Sequence, residues 1–202
     1  LWVATPFGLG AFRGWDGKEP TMIDPVRSRT QRVISYGPLR TIVEVFDRGW
    51  QAEKGKPALN MTLRYTQYAG HRDTDVDVFF NRPVGDYRFS TGIINVKNSV
   101  EFSDKNGLLA CWGTDWPSTD TVNFKRETVG LGIYVPMKYV KSEEPANKDN
   151  YAFVVGTADS HIQYKVIYCS DNETFGYHAA SEWFAFLKEW KKEVEMPITV
   201  KY

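Results

Sequence analysis

Arg40-Thr41-Ile42-Val43-Glu44-Val45-Phe46 decides how this chain is read. Residues two apart on an extended chain share a face, so Thr41, Val43 and Val45 lie on one side and Ile42, Glu44 and Phe46 on the other. Leu59 to Tyr68 and Thr74 to Phe80 alternate in the same way, and Ala69-Gly70-His71-Arg72 between them reads as a hairpin turn. Asp73, Asp75 and Asp77 fall on the solvent side of Val76 and Val78. Further strands are expected at Val26–Tyr36, Tyr87–Val96, Leu108–Trp112, Val129–Val135, Tyr151–Thr157 and Ile162–Tyr168. Turn signals separate them, among them Gly37-Pro38, Lys54-Gly55-Lys56-Pro57, Pro83-Val84-Gly85-Asp86 and Lys105-Asn106-Gly107. Strand and turn at regular spacing predict a mostly β chain folded as an antiparallel β-sandwich.

One segment departs from this pattern. From Ser181 to Val194 the residues Trp183, Phe184, Phe186, Leu187, Trp190 and Val194 recur at helical spacing. Ser181 is the expected N-cap, Glu182 suits the positive end of the helix dipole, and Lys188, Lys191 and Lys192 suit the other end. Pro197 blocks continuation. The expectation is one C-terminal amphipathic helix laid on a sheet by its aromatic stripe, with Ile198 to Tyr202 returning as a strand. Lys141 to Asn150 reads as a polar loop, and the 202 residues as a single domain.

Composition narrows the function. Twenty-five Lys and Arg balance 25 Asp and Glu, so no net positive field draws in a nucleic acid. The apolar runs are too short for a membrane span. Leu1 is not an initiator Met, which points to a processed product or a fragment. Cys111 and Cys169 lie far apart without CxxC spacing. Two separate buried thiols are expected, with one disulfide as the alternative. No HxH, HExxH or paired-Cys arrangement is present, and the Asp73-Thr74-Asp75-Val76-Asp77 ladder lacks the glycine and distal Glu of a calcium loop, so neither metal nor other cofactor is expected.

Two tryptophans stand beside turn residues: Trp15 in Arg13-Gly14-Trp15-Asp16-Gly17, and Trp116 in Thr114-Asp115-Trp116-Pro117. Read as loop residues, their flat rings suit the apolar face of a sugar, or else fold back as lids over the core. Asp16 and Asp115 sit next to them as sugar acceptors or acids. Ten of the 11 arginines precede Ser90. Arg27 and Arg29 share a strand face and Arg64 adjoins Tyr65 on a later strand, which would suit bidentate recognition of a carboxylate or else ordinary surface pairing. Among three histidines, His71 lies in the hairpin turn, His161 starts a strand, and His178 precedes the helix. His178 is the first candidate for acid–base work, with capping or packing as the alternative.

Gly8-Leu9-Gly10-Ala11-Phe12 leads to Trp15-Asp16-Gly17, then come Tyr36-Gly37-Pro38-Leu39-Arg40-Thr41, Tyr68-Ala69-Gly70 and Ser90-Thr91-Gly92-Ile93. The series closes on Glu182-Trp183-Phe184-Ala185-Phe186-Leu187 and Met196-Pro197-Ile198-Thr199-Val200. In that order, and over nearly the whole chain, these motifs resemble the bacterial domain-of-unknown-function 4861 family, seen mostly in polysaccharide-degrading bacteria. The resemblance implies a supersandwich similar to galactose-mutarotase-like and polysaccharide-lyase domains. It also implies an exported protein, periplasmic or extracellular, acting near pectin-type glycans. Family members are longer, so the chain resembles a C-terminal half whose N-terminal half would be a further partner. No established reaction comes with the likeness.

The expected function is therefore a carbohydrate-active domain for an acidic, uronate-containing oligosaccharide or polysaccharide, as hydrolase or lyase. Trp15, Asp16, Arg27, Arg29, Arg64, His71 and Trp116 would bind substrate, and His178, Asp115 and Tyr65 would serve the chemistry. The alternative is a non-catalytic sugar-binding or structural accessory sandwich.

Overall fold

In the computed structural model, which describes residues 6–198, alternating sequence becomes two antiparallel sheets. The larger has eight strands. Its order runs β3 (Ser28–Tyr36), β4 (Arg40–Trp50), β5 (Leu59–Tyr68), β6 (Asp73–Phe80), β13 (His161–Ser170), β10 (Glu127–Tyr134), β9 (Leu108–Asp115) and β8 (Val100–Ser103). The smaller runs β11 (Val140–Glu143), β12 (Asn150–Val155), β7 (Phe89–Ile94), β1 (Arg13–Trp15) and β2 (Pro20–Thr21). The chain is mostly β, as its alternation predicts.

Register explains the core. Val45, Leu63, Val78 and Ile162 stand opposite one another across four strands of the large sheet. They pack on Phe89, Ile93, Tyr151, Phe153 and Val155 of the small one. Two stacked sheets bury one face each, so every second residue carries the hydrophobic load. Asp47 continues the inward-facing row of Val43 and Val45, and is fully buried.

The outer face of the large sheet is used twice. Over β9, β10 and β13, the helix α1 (Ala180–Glu195) lays Trp183, Leu187 and Trp190 on Leu108, Tyr134, Ile167 and Cys169. Glycine permits that approach: a Cβ on Gly130 would stand 2.7 Å from Trp183 Nε1 and 2.8 Å from Cys169 Sγ. Trp183 Nε1 donates to the Leu131 carbonyl at 3.3 Å. The N-cap is Ala179, without a side-chain cap, and Ser181 lies inside the first turn, exposed. Instead Glu182 reaches back and accepts from the His178 N–H at 3.0 Å, so the carboxylate that suits the dipole also satisfies the entering backbone. The helix ends at Glu195, just ahead of Pro197.

Across β3 to β6 the outer face carries charge. Arg32, Glu44, Arg64 and Asp77 stand opposite one another on successive strands. Glu44 is only 2% exposed because Arg32 and Arg64 roof it, at 2.7 and 2.6 Å. Burial alone would push its carboxyl up, but hydrogen bonds and charge from Arg64 and Arg32 together hold it below its ordinary value. The Asp ladder lies on this face as expected, yet it is covered. Lys165 bridges Asp73 and Asp75, and His161 Nε2 meets Asp77 at 2.7 Å.

Four strands escape the sequence reading: β1, β2, β8 and β11, all short. Trp15 consequently belongs to a strand, opposite Pro20, where a loop was expected. β11 similarly takes the start of the expected polar loop. Cys111 and Cys169 are both free and buried, on opposite faces of the large sheet, and burial pushes each thiol up to about 12. Of the expected final strand, Ile198 to Tyr202, only Ile198 is described, exposed and outside any strand, and residues 199–202 lie outside those described. No helix among the described residues is long and apolar enough to cross a membrane.

Candidate functional site

β3 and β4 extend the large sheet beyond the core, and their inward face meets the β1–β2 edge of the small sheet in a cleft of about 290 Å³. Four side chains supply its chemistry: Arg13 from β1, Arg29 from β3, Asp47 from β4 and Tyr65 from β5. Gln31 adds an amide, while Phe12, Met22, Ile23, Val45 and Leu63 make the walls apolar.

Asp47 anchors it. Its Oδ1 accepts from Arg29 Nε at 2.6 Å, and its Oδ2 is buried with no hydrogen-bond partner. A carboxylate oxygen left this way is costly unless a ligand or water supplies a donor. Arg29 also donates to the Ile23 carbonyl at 3.0 Å, which fixes the fork against the rim. Tyr65 stands nearby, and burial first, then the Asp47 charge, raise its phenol above the ordinary value. Tyr65 therefore stays protonated at neutral pH and can donate a hydrogen bond.

Arg13 is the second cation. Only 8% exposed, it donates to the Pro6 carbonyl at 3.0 Å and to Met22 Sδ. No carboxylate among the described residues pairs with it, and its Nε is buried without a partner. Burial lowers its pKa, the direction expected of a desolvated cation. The cleft thus holds two guanidinium groups against one carboxylate.

The residues singled out from sequence divide by location. Arg29 and Tyr65 meet in this cleft. Arg64 lies on the opposite face, committed to Glu44. Arg27 is exposed beside the irregularity of β4, its backbone N–H on the Arg48 carbonyl at 2.7 Å. Asp16 serves its own turn, accepting from the N–H groups of Lys18 and Glu19 at 2.8 and 2.7 Å, which lowers its pKa. Half-buried Trp15 lines a separate depression with Glu19, Pro20, Pro145 and Asn147. Half-buried Trp116 lies under the Arg126 guanidinium at 5.7 Å, and Asp115 accepts from the Trp116 N–H at 2.8 Å. His71 lines another depression with Gln67, Arg72, Tyr168 and Glu173. His178 is exposed at the helix entry, 3.0 Å from Asp171 Oδ1, and that hydrogen bond raises its pKa. None of Trp15, Asp16, Trp116, Asp115, His71 or His178 lines the Asp47 cleft.

Asp47 and Arg13 are not among the residues that sequence reasoning singles out for the site. For Asp47 a signal existed: Thr41, Val43 and Val45 face inward, and the next residue in phase is a carboxylate. For Arg13 none existed, because its burial depends on how β1 docks. Among the described residues, no group of three or more His, Cys, Asp or Glu is placed to hold a metal.

No curated protein is detectably similar to the chain. A family model described as a domain of unknown function, DUF4861, matches residues 1–200. That match spans nearly all 202 residues, and the chain belongs to the DUF4861 family.

Proposed function

We propose that this chain is a carbohydrate-recognition domain for an acidic saccharide, bound in the cleft of Arg13, Arg29, Asp47 and Tyr65. The observation that carries the reading is the unmatched charge of the cleft. The one carboxylate, Asp47, pairs with Arg29 and leaves Arg13 without an anionic partner among the described residues, so a ligand carboxylate completes the balance. A uronate sugar offers that group together with hydroxyls for Gln31 and Tyr65, and C–H faces for the walls of Phe12, Ile23 and Leu63. A glycan of pectic type in the exported space of a bacterium fits this chemistry, as does a mutarotase-like sandwich.

Turnover of the glycan, by hydrolysis or β-elimination, would have to use groups inside the cleft. Tyr65 is protonated there and suits proton donation to a leaving oxygen more than abstraction of a proton at C5. Of His178, Asp115 and Tyr65, Tyr65 alone lines this cleft. Binding is accordingly the primary reading. A second reading, an accessory that packs on another domain, is favoured by Val33, Tyr36 and Leu39, exposed by 62, 90 and 78%.

Calorimetric titration with trigalacturonate, and with an uncharged trisaccharide of the same linkage, tests the proposal. The acidic trisaccharide should bind at least tenfold more tightly, and Arg13→Gln should erase that preference. Equal affinity for both, or no binding by either, overturns it. Absorbance from a new C4–C5 double bond, or new reducing ends, would add catalysis.

A further inference from the structure

Antiparallel pairing gathers four connections at one end of the large sheet. β3, β5, β9 and β13 finish there and β4, β6 and β10 begin there, so the connections 37–39, 69–72, 116–126 and 171–179 all leave from that end. They carry an apolar load. Tyr36, Leu39, Val122 and Phe175 are exposed by 90, 78, 90 and 98%, and Tyr68 and Phe124 on the same end are each more than a third exposed. At about 200 Å² for a whole aromatic side chain, these six residues offer on the order of 800 Å² of apolar surface. A soluble monomer rarely leaves so much open, and one partner of a stable interface buries about that area.

Charge divides this end into two flanks. On the β3–β6 side Arg40 is exposed and pairs with no carboxylate among the described residues, while Arg72 is held by Glu173 at 2.5 Å. The β13–β9 side carries Asp120, Glu127 and Asp171 against Lys125 and Arg126. Arg126 is turned over the Trp116 ring, and Asp120 meets no cation among the described residues; its oxygens accept only from Val122 and Asn123. One flank therefore offers an unmatched cation and the other an unmatched carboxylate, each beside apolar tips.

We propose that this end of the large sheet is a self-complementary interface whose occupant is a second copy of the chain. The sheet has eight strands, so a two-fold axis normal to it between β6 and β13 sets β4 of one copy against β9 of the other, and β5 against β10. Tyr36 and Leu39 then pack on the partner's Val122 and Phe124, and Arg40 faces the partner's Asp120. The symmetry makes each contact twice. Seven residues along β3 separate Arg29 in the cleft from Tyr36, about 20 Å, so both clefts stay open in the pair, whatever they bind.

Sedimentation equilibrium over a range of protein concentrations reads the association directly. The wild type should approach twice the chain's 23.2 kDa as concentration rises. Tyr36→Ser combined with Leu39→Ser should weaken association by at least about tenfold. Arg40→Glu should weaken it as well, and added salt should loosen the wild-type pair while relieving this variant. All three positions are exposed, so the variants are expected to fold, and circular dichroism checks this. A wild type that stays at 23.2 kDa overturns the inference, and cosedimentation of that monomer with phosphatidylglycerol vesicles would then give the end face to a membrane. A dimer that Tyr36→Ser with Leu39→Ser leaves intact, or that Arg40→Glu does not weaken, also overturns it.

Discussion

Asp47 gives one carboxylate oxygen to Arg29, at 2.6 Å, and keeps the other buried without a partner. Its carboxylate is fully buried while the Arg29 side chain is 44% exposed, so the pair is asymmetric. Arg29→Ala would strand a buried carboxylate with no donor. We expect it to lower unfolding free energy by about 1–3 kcal/mol, read from the urea midpoint. An unchanged midpoint would mean that Asp47 is satisfied in another way.

Glu44 should make the protein acid-sensitive. Its folded pKa is lowered below 4.5, so as pH falls the unfolded chain takes up the proton first. The stability it contributes is complete above the unfolded pKa and is lost as pH drops through the folded value. Glu44→Gln should cost about 1–3 kcal/mol at neutral pH and progressively less in acid. Urea titrations of both proteins across that range check it. A cost independent of pH would place the effect in packing alone.

Gly130 is required by the helix that covers β10. Its missing Cβ leaves room for the Trp183 indole, so Gly130→Ala should destabilise by about 1–3 kcal/mol through overpacking. Thermal denaturation followed by tryptophan fluorescence measures this. Trigalacturonate affinity of the folded variant should not change, because α1 lies on the face opposite the cleft.

His178 should titrate above 6.5 because of its hydrogen bond to Asp171. In Asp171→Asn, NMR should place the imidazole lower than in the wild type. The sign of the linkage follows: any stability the pair adds is present at low pH and lost as pH rises through the folded value. If the His178 value does not move, the hydrogen bond is not the cause of the shift.

Alternation made β4, β5 and β6 legible, because period two over eight or more residues resembles nothing else. It could not reveal β1 and β2, where three and two residues leave no period and Gly14, Gly17 and Pro20 read as turn. From sequence alone Trp15 therefore reads as a loop residue. Ser181 is a good cap chemically, yet the N-cap is Ala179, two residues earlier, with Glu182 meeting the His178 N–H. Arg64 has the right residue type for carboxylate recognition, but its partner is Glu44 on the neighbouring strand, a contact made only once strands pair. Arg29 and Tyr65 were reachable as residue types. Their meeting with Asp47 and Arg13 depends on the packing of one sheet edge over another.

The most direct test is a crystal structure of the protein with trigalacturonate. A uronate carboxylate should lie within about 3.2 Å of the Arg13 guanidinium, with a sugar oxygen accepting from the Tyr65 hydroxyl. A trisaccharide bound elsewhere, on the outer face or at Trp15 or Trp116, with the Arg13–Asp47 cleft holding none of it, would contradict the account.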